Sequence, residues 1–96
     1  MIASFRDRAT EDLYHQRPSK LVRRIPGDVQ RAARRKLDLI EFAHELGDLA
    51  SPPGNRLEAL RGKLVGHHSI RVNDQWRIAF RWQEGAAHEV SLVDYH

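Results

Sequence analysis

A chain of 96 residues, 30% of them charged, with a net charge of +3 and a pI near 9.8, reads as one small basic domain over residues 1–96. That length is near the small end of what holds a hydrophobic core unaided. Cysteine is absent, which excludes disulfides and thiolate metal sites and suits a reducing cytoplasm; no apolar run could span a bilayer and no signal-peptide pattern opens the chain.

Met1 to Phe5 reads as a short strand. A short helix is predicted from Thr10 to about Gln16, with Leu13 as its core contact. Pro18 prevents its continuation, because proline lacks an N–H and clashes with the preceding turn. Arg17 to Ile25 fits either a helix resumed after the proline or a basic loop. Pro26-Gly27-Asp28 is a start signal with Asp28 as candidate N-cap. Val29, Ala33, Leu37 and Ile40 then recur at helical spacing, and Leu46 extends the pattern. This predicts an amphipathic helix from about Asp28 to Leu46, stopped by Gly47. Charge is unevenly spread. Residues 17–36 hold eight Lys/Arg against Asp28 alone, and Asp38, Glu41, Glu45 and Asp48 follow with no basic residue among them. The basic run reads either as a solvated helix face or as a surface for RNA phosphates, with steep salt dependence.

Ser51 to Asn55 is a loop, and Leu57 and Leu60 pin the next segment to the core. Two alternating runs follow. Ile70 and Val72 alternate with Ser69, Arg71 and Asn73; Trp76, Ile78, Phe80 and Trp82 alternate with Arg77, Ala79 and Arg81. A period of two marks half-buried strands, whose successive side chains leave opposite faces. Asn73-Asp74 supplies turn chemistry between them. The expected product is an antiparallel hairpin, apolar on one face and carrying Arg71, Arg77 and Arg81 on the other. Only Asp74 opposes those cations within the hairpin. A solvated face and a phosphate-binding surface both fit this pattern, the second because guanidinium grips phosphate in a bidentate way. Glu84-Gly85 is a second turn, and His88 to Val93 the last strand. His67 and His68 have the look of a metal pair, but neighbours on a strand face opposite ways, so joint ligation is not expected. Trp76 and Trp82 are assigned to the core or its rim, and His15, His44 and His88 to structural positions.

Leu57-Glu58-Ala59-Leu60-Arg61-Gly62, Gly66, Ser69 to Asn73, Trp76-Arg77-Ile78 and the terminal Val93-Asp94-Tyr95-His96 together resemble the HigB-type toxins of the RelE/ParE superfamily, from bacterial type II toxin–antitoxin systems. The opening Met1 to Phe5 and the overall length resemble the same family. The similarity is dense from Arg56 to Trp82 and at both ends, and loose from Arg6 to Asn55. It implies a compact α+β fold, RelE-like, a curved antiparallel sheet with two or three helices on one face and the site on the other.

It also implies an activity: ribosome-dependent cleavage of mRNA in the 30S A site. Without a metal or other cofactor, RNA is cut when its own 2′-hydroxyl attacks the adjacent phosphorus. The products are a 2′,3′-cyclic phosphate (or its opened 3′-phosphate) and a 5′-hydroxyl. The reaction needs a base, an acid and cations around the phosphorane. By resemblance Arg61 and Arg77 contact the scissile phosphate, with Arg71 and Lys63 as auxiliaries. Asp94 and His96 match terminal catalytic positions, and Tyr95 could stack a base. Some members read His-Pro-Leu-Lys-Gly where this chain has Glu58-Ala59-Leu60-Arg61-Gly62. Glu58 can serve as a base there, and Arg61 keeps the cation without a transferable proton. The implied partner is a HigA-type helix-turn-helix antitoxin, through which the pair would reach DNA and repress its own promoter. Two other readings stand beside this one: a ParE-like gyrase-poisoning toxin, which lacks this catalytic set, and a non-enzymatic basic RNA- or protein-binding module.

Overall fold

The computed structural model describes residues 1–94. Three helices come first: α1 (Arg8–Tyr14), α2 (Lys20–Arg23) and α3 (Gly27–Phe42). Four strands follow: β1 (Glu58–Ala59), β2 (His68–Arg71), β3 (Trp76–Gln83) and β4 (Ala86–Asp94), with short 3₁₀ turns at Leu46–Ala50, Pro53–Asn55 and Gly62–Leu64. The strands form one antiparallel sheet in the order β1-β2-β3-β4. This is the α+β architecture the sequence implied.

α3 explains how the sheet is covered. Val29, Ala33, Leu37 and Ile40 are its buried stripe, spaced at three to four residues so that all lie on one side of the helix. They pack in one core with Ile70, Val72, Ile78, Phe80 and Val90, the apolar face of the strands. α3 differs from expectation at both ends. Pro26 holds the N-cap position, and Asp28 lies inside the first turn, where its charge still meets the positive end of the helix dipole. The helix stops at Phe42, four residues before the predicted Leu46. Ala43 turns extended and buried. The Asp48 carboxylate accepts from the backbone N–H of His44 (3.0 Å) and of Glu45 (3.1 Å), which pulls the chain into a separate turn.

The N-terminal region also differs. Met1–Phe5 is not a continuous strand; Ile2 and Phe5 make isolated parallel bridges to Ala87 and Val90. Between them the Ser4 hydroxyl accepts the Glu89 N–H at 2.9 Å, and Glu89 has φ +54 at an irregularity of β4, so no regular ladder can run past it. α1 begins two residues earlier than predicted, because Asp7 caps it by accepting from Thr10 N–H at 2.8 Å. The ambiguous stretch 17–25 holds one helical turn, α2, capped by Ser19.

Asn55 locks the approach to the sheet. It is fully buried. Its amide donates to the carbonyls of Leu49 (3.1 Å) and Ser51 (3.3 Å), and its oxygen accepts from Lys36 Nζ at 2.5 Å. The loop after α3 is thereby tied to α3 itself, just ahead of Arg56 and β1. No helix among the described residues is long and apolar enough to cross a membrane.

Candidate functional site on the open face of the sheet

The hairpin turn sets the register. Asn73 Oδ1 accepts from the N–H of Gln75 and of Trp76, each at 2.8 Å, an Asx turn that does for the backbone what a tighter loop would. In that register Arg71 lies directly across from Arg77, and Ser69 from Ala79. Both pairs occupy the face away from α3, as alternation predicted. Like charges directly opposite on a sheet repel, so the fold has placed two fixed cations where stability alone disfavours them.

Arg77 is not a solvated arginine. Its side chain is only 10% exposed. Its Nε donates to Ser69 Oγ and its Nη2 to the Arg56 carbonyl, both at 2.7 Å. Arg56 has φ +45, a left-handed backbone uncommon for a side chain of this size; this turns its carbonyl onto the guanidinium. β1 pairs Glu58 with Ser69, which brings the Glu58 carboxylate within 3.7 Å of Arg77. The strand β1 and the roles of Ser69 and Arg56 were missed in the sequence. Ser69 could have been found by parity, since it alternates with Ile70 on the arginine side. Arg56 left no signal, because a positive φ at a non-glycine residue is set by the surrounding structure and not by its own side chain.

Glu58, Ala59, Leu60 and Arg61 line a groove of about 600 Å³ beside this cluster. Arg61 is exposed, and it precedes Gly62, whose φ of +68 a glycine adopts without strain. Lys63 is exposed on the same 3₁₀ turn. Arg71 is held by Asp74. It also reaches the helical layer electrostatically. Burial pushes the Lys36 ammonium pKa down, and Arg35 and Arg71 push it the same way. Arg71 of the sheet and Arg35 of α3 thus act on the same ammonium.

Asp94 is placed differently. It pairs across β3 with Trp76, not with Arg77. Cross-strand partners share a face, so Asp94 belongs to the Trp76 side at the sheet end, where Gln75 Nε2 donates to it at 3.3 Å. Tyr95 and His96, the other terminal residues implicated by resemblance, lie outside the described residues. The structure therefore brings together Arg77, Glu58, Arg71 and the Arg61 groove, and sets Asp94 on the opposite parity.

A second cluster continues the open face. His67 Nε2 lies 3.3 Å from Glu89 Oε2, and Arg81 Nε lies 3.4 Å from the same oxygen. His68 turns to the other face and stacks on Phe80 at 6.5 Å, so the two histidines diverge as alternation requires. The Glu89 carboxyl is held below its usual range, first by the Arg81 hydrogen bond, against an opposing effect of burial, and further by the Arg81 charge and by His67. A carboxyl with a lower pKa folded than unfolded contributes stability above the unfolded value and loses it as pH falls toward the folded one. Acid destabilisation as pH falls through the ordinary glutamate pKa of about 4.3 and below it is therefore expected to be shallower for Glu89→Gln than for the parent. Thermal melts across that range measure it; identical slopes would show that the cluster adds nothing.

Fold and site define a class: a small α+β domain that presents a buried, immobilised guanidinium, with further cations around it, on the uncovered face of its sheet. The chain belongs to the HigB-like toxin family, described as the RelE-like toxin of type II toxin–antitoxin system HigB, whose profile matches residues 3–96. Toxin HigB-1 of Vibrio cholerae is 42% identical over 87 residues, covering 91% of this chain and 90% of that protein. Endoribonuclease HigB of Proteus vulgaris is 33% identical over 97 residues, covering all of both. The toxin fold recurs in the YoeB-YefM complex from Staphylococcus aureus, with a TM-score of 0.61 over 100% of this chain and 98% of that one, at 14% identity.

Proposed function

We propose that this chain is an endoribonuclease that cuts messenger RNA on the ribosome and is neutralised by a HigA-type helix-turn-helix antitoxin. The observation that carries the reading is the Arg77 guanidinium, immobilised by Ser69 and Arg56 and flanked by Glu58 at 3.7 Å. The name of the Proteus vulgaris relative, an endoribonuclease, supports it. A preorganised cation stabilises charge developing on a phosphorane without reorganising during the reaction, which is the larger part of electrostatic catalysis. Arg77 uses Nε and Nη2 for its bonds among the described residues, which leaves Nη1 for a phosphate oxygen. Arg61, Arg71 and Lys63 add charge along the groove.

In this mechanism Glu58 takes the proton from the 2′-hydroxyl. The 2′-oxygen forms its bond to phosphorus as the bond to the 5′-oxygen breaks, and an acid protonates the leaving oxygen. His96 is assigned that acid role, since a protonated imidazole can give up a proton to the leaving oxygen. Asp94, on the Trp76 side of the sheet end, is assigned a supporting role without contact to the phosphate at Arg77, and Tyr95 stacks on a base. A cytoplasmic setting follows from the ribosomal substrate.

The test is primer extension on a translated messenger, with purified ribosomes present or omitted and any tag kept at the N-terminus. Cuts within codons that require ribosomes are expected, reduced about 10²–10⁴-fold in Glu58→Gln and in His96→Ala. Equal cutting by parent and variants would refute the acid/base assignment. Equal cutting without ribosomes would refute the ribosome requirement. Growth arrest with no cut in either condition would move the protein to the gyrase class.

A further inference from the structure

We propose that the apolar groove at the C-terminal end of α3 is the docking site for the antitoxin of this system, through a segment bearing an apolar side chain flanked by lysines or arginines. The inference rests on membership of a toxin–antitoxin family and is independent of RNA cleavage. The groove, about 270 Å³, is walled by Leu39, Phe42 and Ala43 and floored by Leu49, with Asp38 and Asp48 on its rim. Phe42 is 76% exposed and Leu39 39%, whereas Leu49 is 1% exposed. Three residues apart, Leu39 and Phe42 stand side by side on the helix surface. An aromatic left in water beside an apolar wall, with a polar rim, is the surface signature of a protein contact.

The charge around it selects the occupant. Residues 38–48 contain Asp38, Glu41, Glu45 and Asp48 and no lysine or arginine. The last turn of α3 likewise has no basic residue, although the negative end of the helix dipole favours cations there and disfavours acids. The helix dipole therefore does not explain Asp38 and Glu41, while Glu45 and Asp48 form a capping box on the 3₁₀ turn that follows α3. Part of their arrangement is structural: Glu41 accepts the Ile2 N–H at 2.9 Å and Asp48 accepts the His44 and Glu45 N–H groups. Those hydrogen bonds satisfy the groups without neutralising them, and the Asp48 charge stands at the rim. The backbone N–H groups of Glu45 and His44 hold the Asp48 carboxyl below its usual range, so it is ionised throughout the neutral region.

The same helix carries Arg31, Arg34, Arg35 and Lys36 in its earlier turns. Nucleic acid is drawn to that half and repelled from the acidic half. A cationic, partly apolar polypeptide has the reverse preference. In a toxin–antitoxin system the polypeptide that must find this surface is the antitoxin. The groove also lies on the helical layer, away from the Arg77 face, so it is separate from the site described above.

Calorimetric titration of the purified toxin with the antitoxin encoded alongside it tests this directly. Phe42→Ala is expected to weaken binding at least about tenfold, as removal of an interface anchor does. The double variant Asp38→Asn/Asp48→Asn keeps both hydrogen-bond acceptors and removes both charges. It is expected to weaken binding and to flatten its salt dependence. Because Phe42 is exposed, circular dichroism of Phe42→Ala should match the parent. Both variants should arrest growth alone and escape rescue by the antitoxin. Titrations indistinguishable from the parent overturn the proposal. So does a change seen only in self-association by sedimentation, which would assign the groove to a second copy of the chain. Phe42→Ala that binds the antitoxin like the parent overturns the groove whatever its cleavage, whereas loss of cleavage in Arg77→Ala with antitoxin binding intact bears on the nuclease reading alone.

Discussion

Arg77→Ala is expected to reduce cleavage by about 10²–10³-fold, the loss typical of one preorganised charge stabiliser, and to lower folding free energy by about 2–4 kcal/mol. Both effects come from one side chain. Its guanidinium satisfies Ser69 Oγ and the Arg56 carbonyl at 2.7 Å each, and Ser69 is only 1% exposed. Truncation leaves that hydroxyl without its partner, out of reach of water, and opens the space the guanidinium filled. Glu58 contributes little to the stability cost, because its side chain is 58% exposed and stays solvated. Arg77→Lys separates the two effects. An ammonium on a flexible stem keeps the charge and reaches one acceptor, so about half the lost stability should return. Cleavage should remain depressed, because an ammonium held by one acceptor is no longer fixed by both Ser69 and Arg56 to present its charge to the phosphate. Urea unfolding and the primer-extension assay on the same preparations measure both. Full activity in Arg77→Ala would remove the guanidinium from the mechanism.

Phe80→Ala is expected to cost about 3–5 kcal/mol, the range for emptying a buried aromatic position. Phe80 is completely buried and stacks on His68. It also lies where β3 and β4 shift register, between Ala79 and Arg81. The void would open between α3 and the sheet, beneath the irregularity that carries Glu89. A domain of this size has about 5–15 kcal/mol in total, so the thermal midpoint should fall by more than about 12 °C. Calorimetry decides it; a fall of only a few degrees would mean that the layer collapses to fill the space.

The parts of this protein visible in its sequence are those governed by local periodicity. The period of two from Ser69 to Trp82 placed the hairpin and separated its apolar face from its arginines, because strand geometry sends alternate side chains to opposite sides. Asn73 announced the turn for the same local reason: its side chain bonds backbone only two and three residues away. Val29, Ala33, Leu37 and Ile40 marked the buried stripe of α3 by spacing alone. Family resemblance gave roles to Arg61 and Arg77, and Glu58 was read as a base where some members carry histidine; Glu58 and Arg61 line one groove, and Arg77 lies beside Glu58.

Other features needed the tertiary structure. β1 is two residues long and has no periodic signal of its own; pairing with β2 creates it. α3 ends at Phe42 because Asp48, six residues further on, takes the backbone donors beyond it, a competition that helical spacing does not register. The side of the sheet reached by Asp94 depends on cross-strand register with Trp76, and register depends on the irregularity at Glu89. Above all, the sequence by itself determined that an arginine would stand on the open face. Only the tertiary structure decided that Arg77 would be buried and immobilised there, because its restraints come from Arg56 and Glu58, some twenty residues earlier, and from Ser69 on the facing strand. Side-chain alternation is set within a few residues, whereas burial and hydrogen bonding are set by whatever the rest of the chain brings against them.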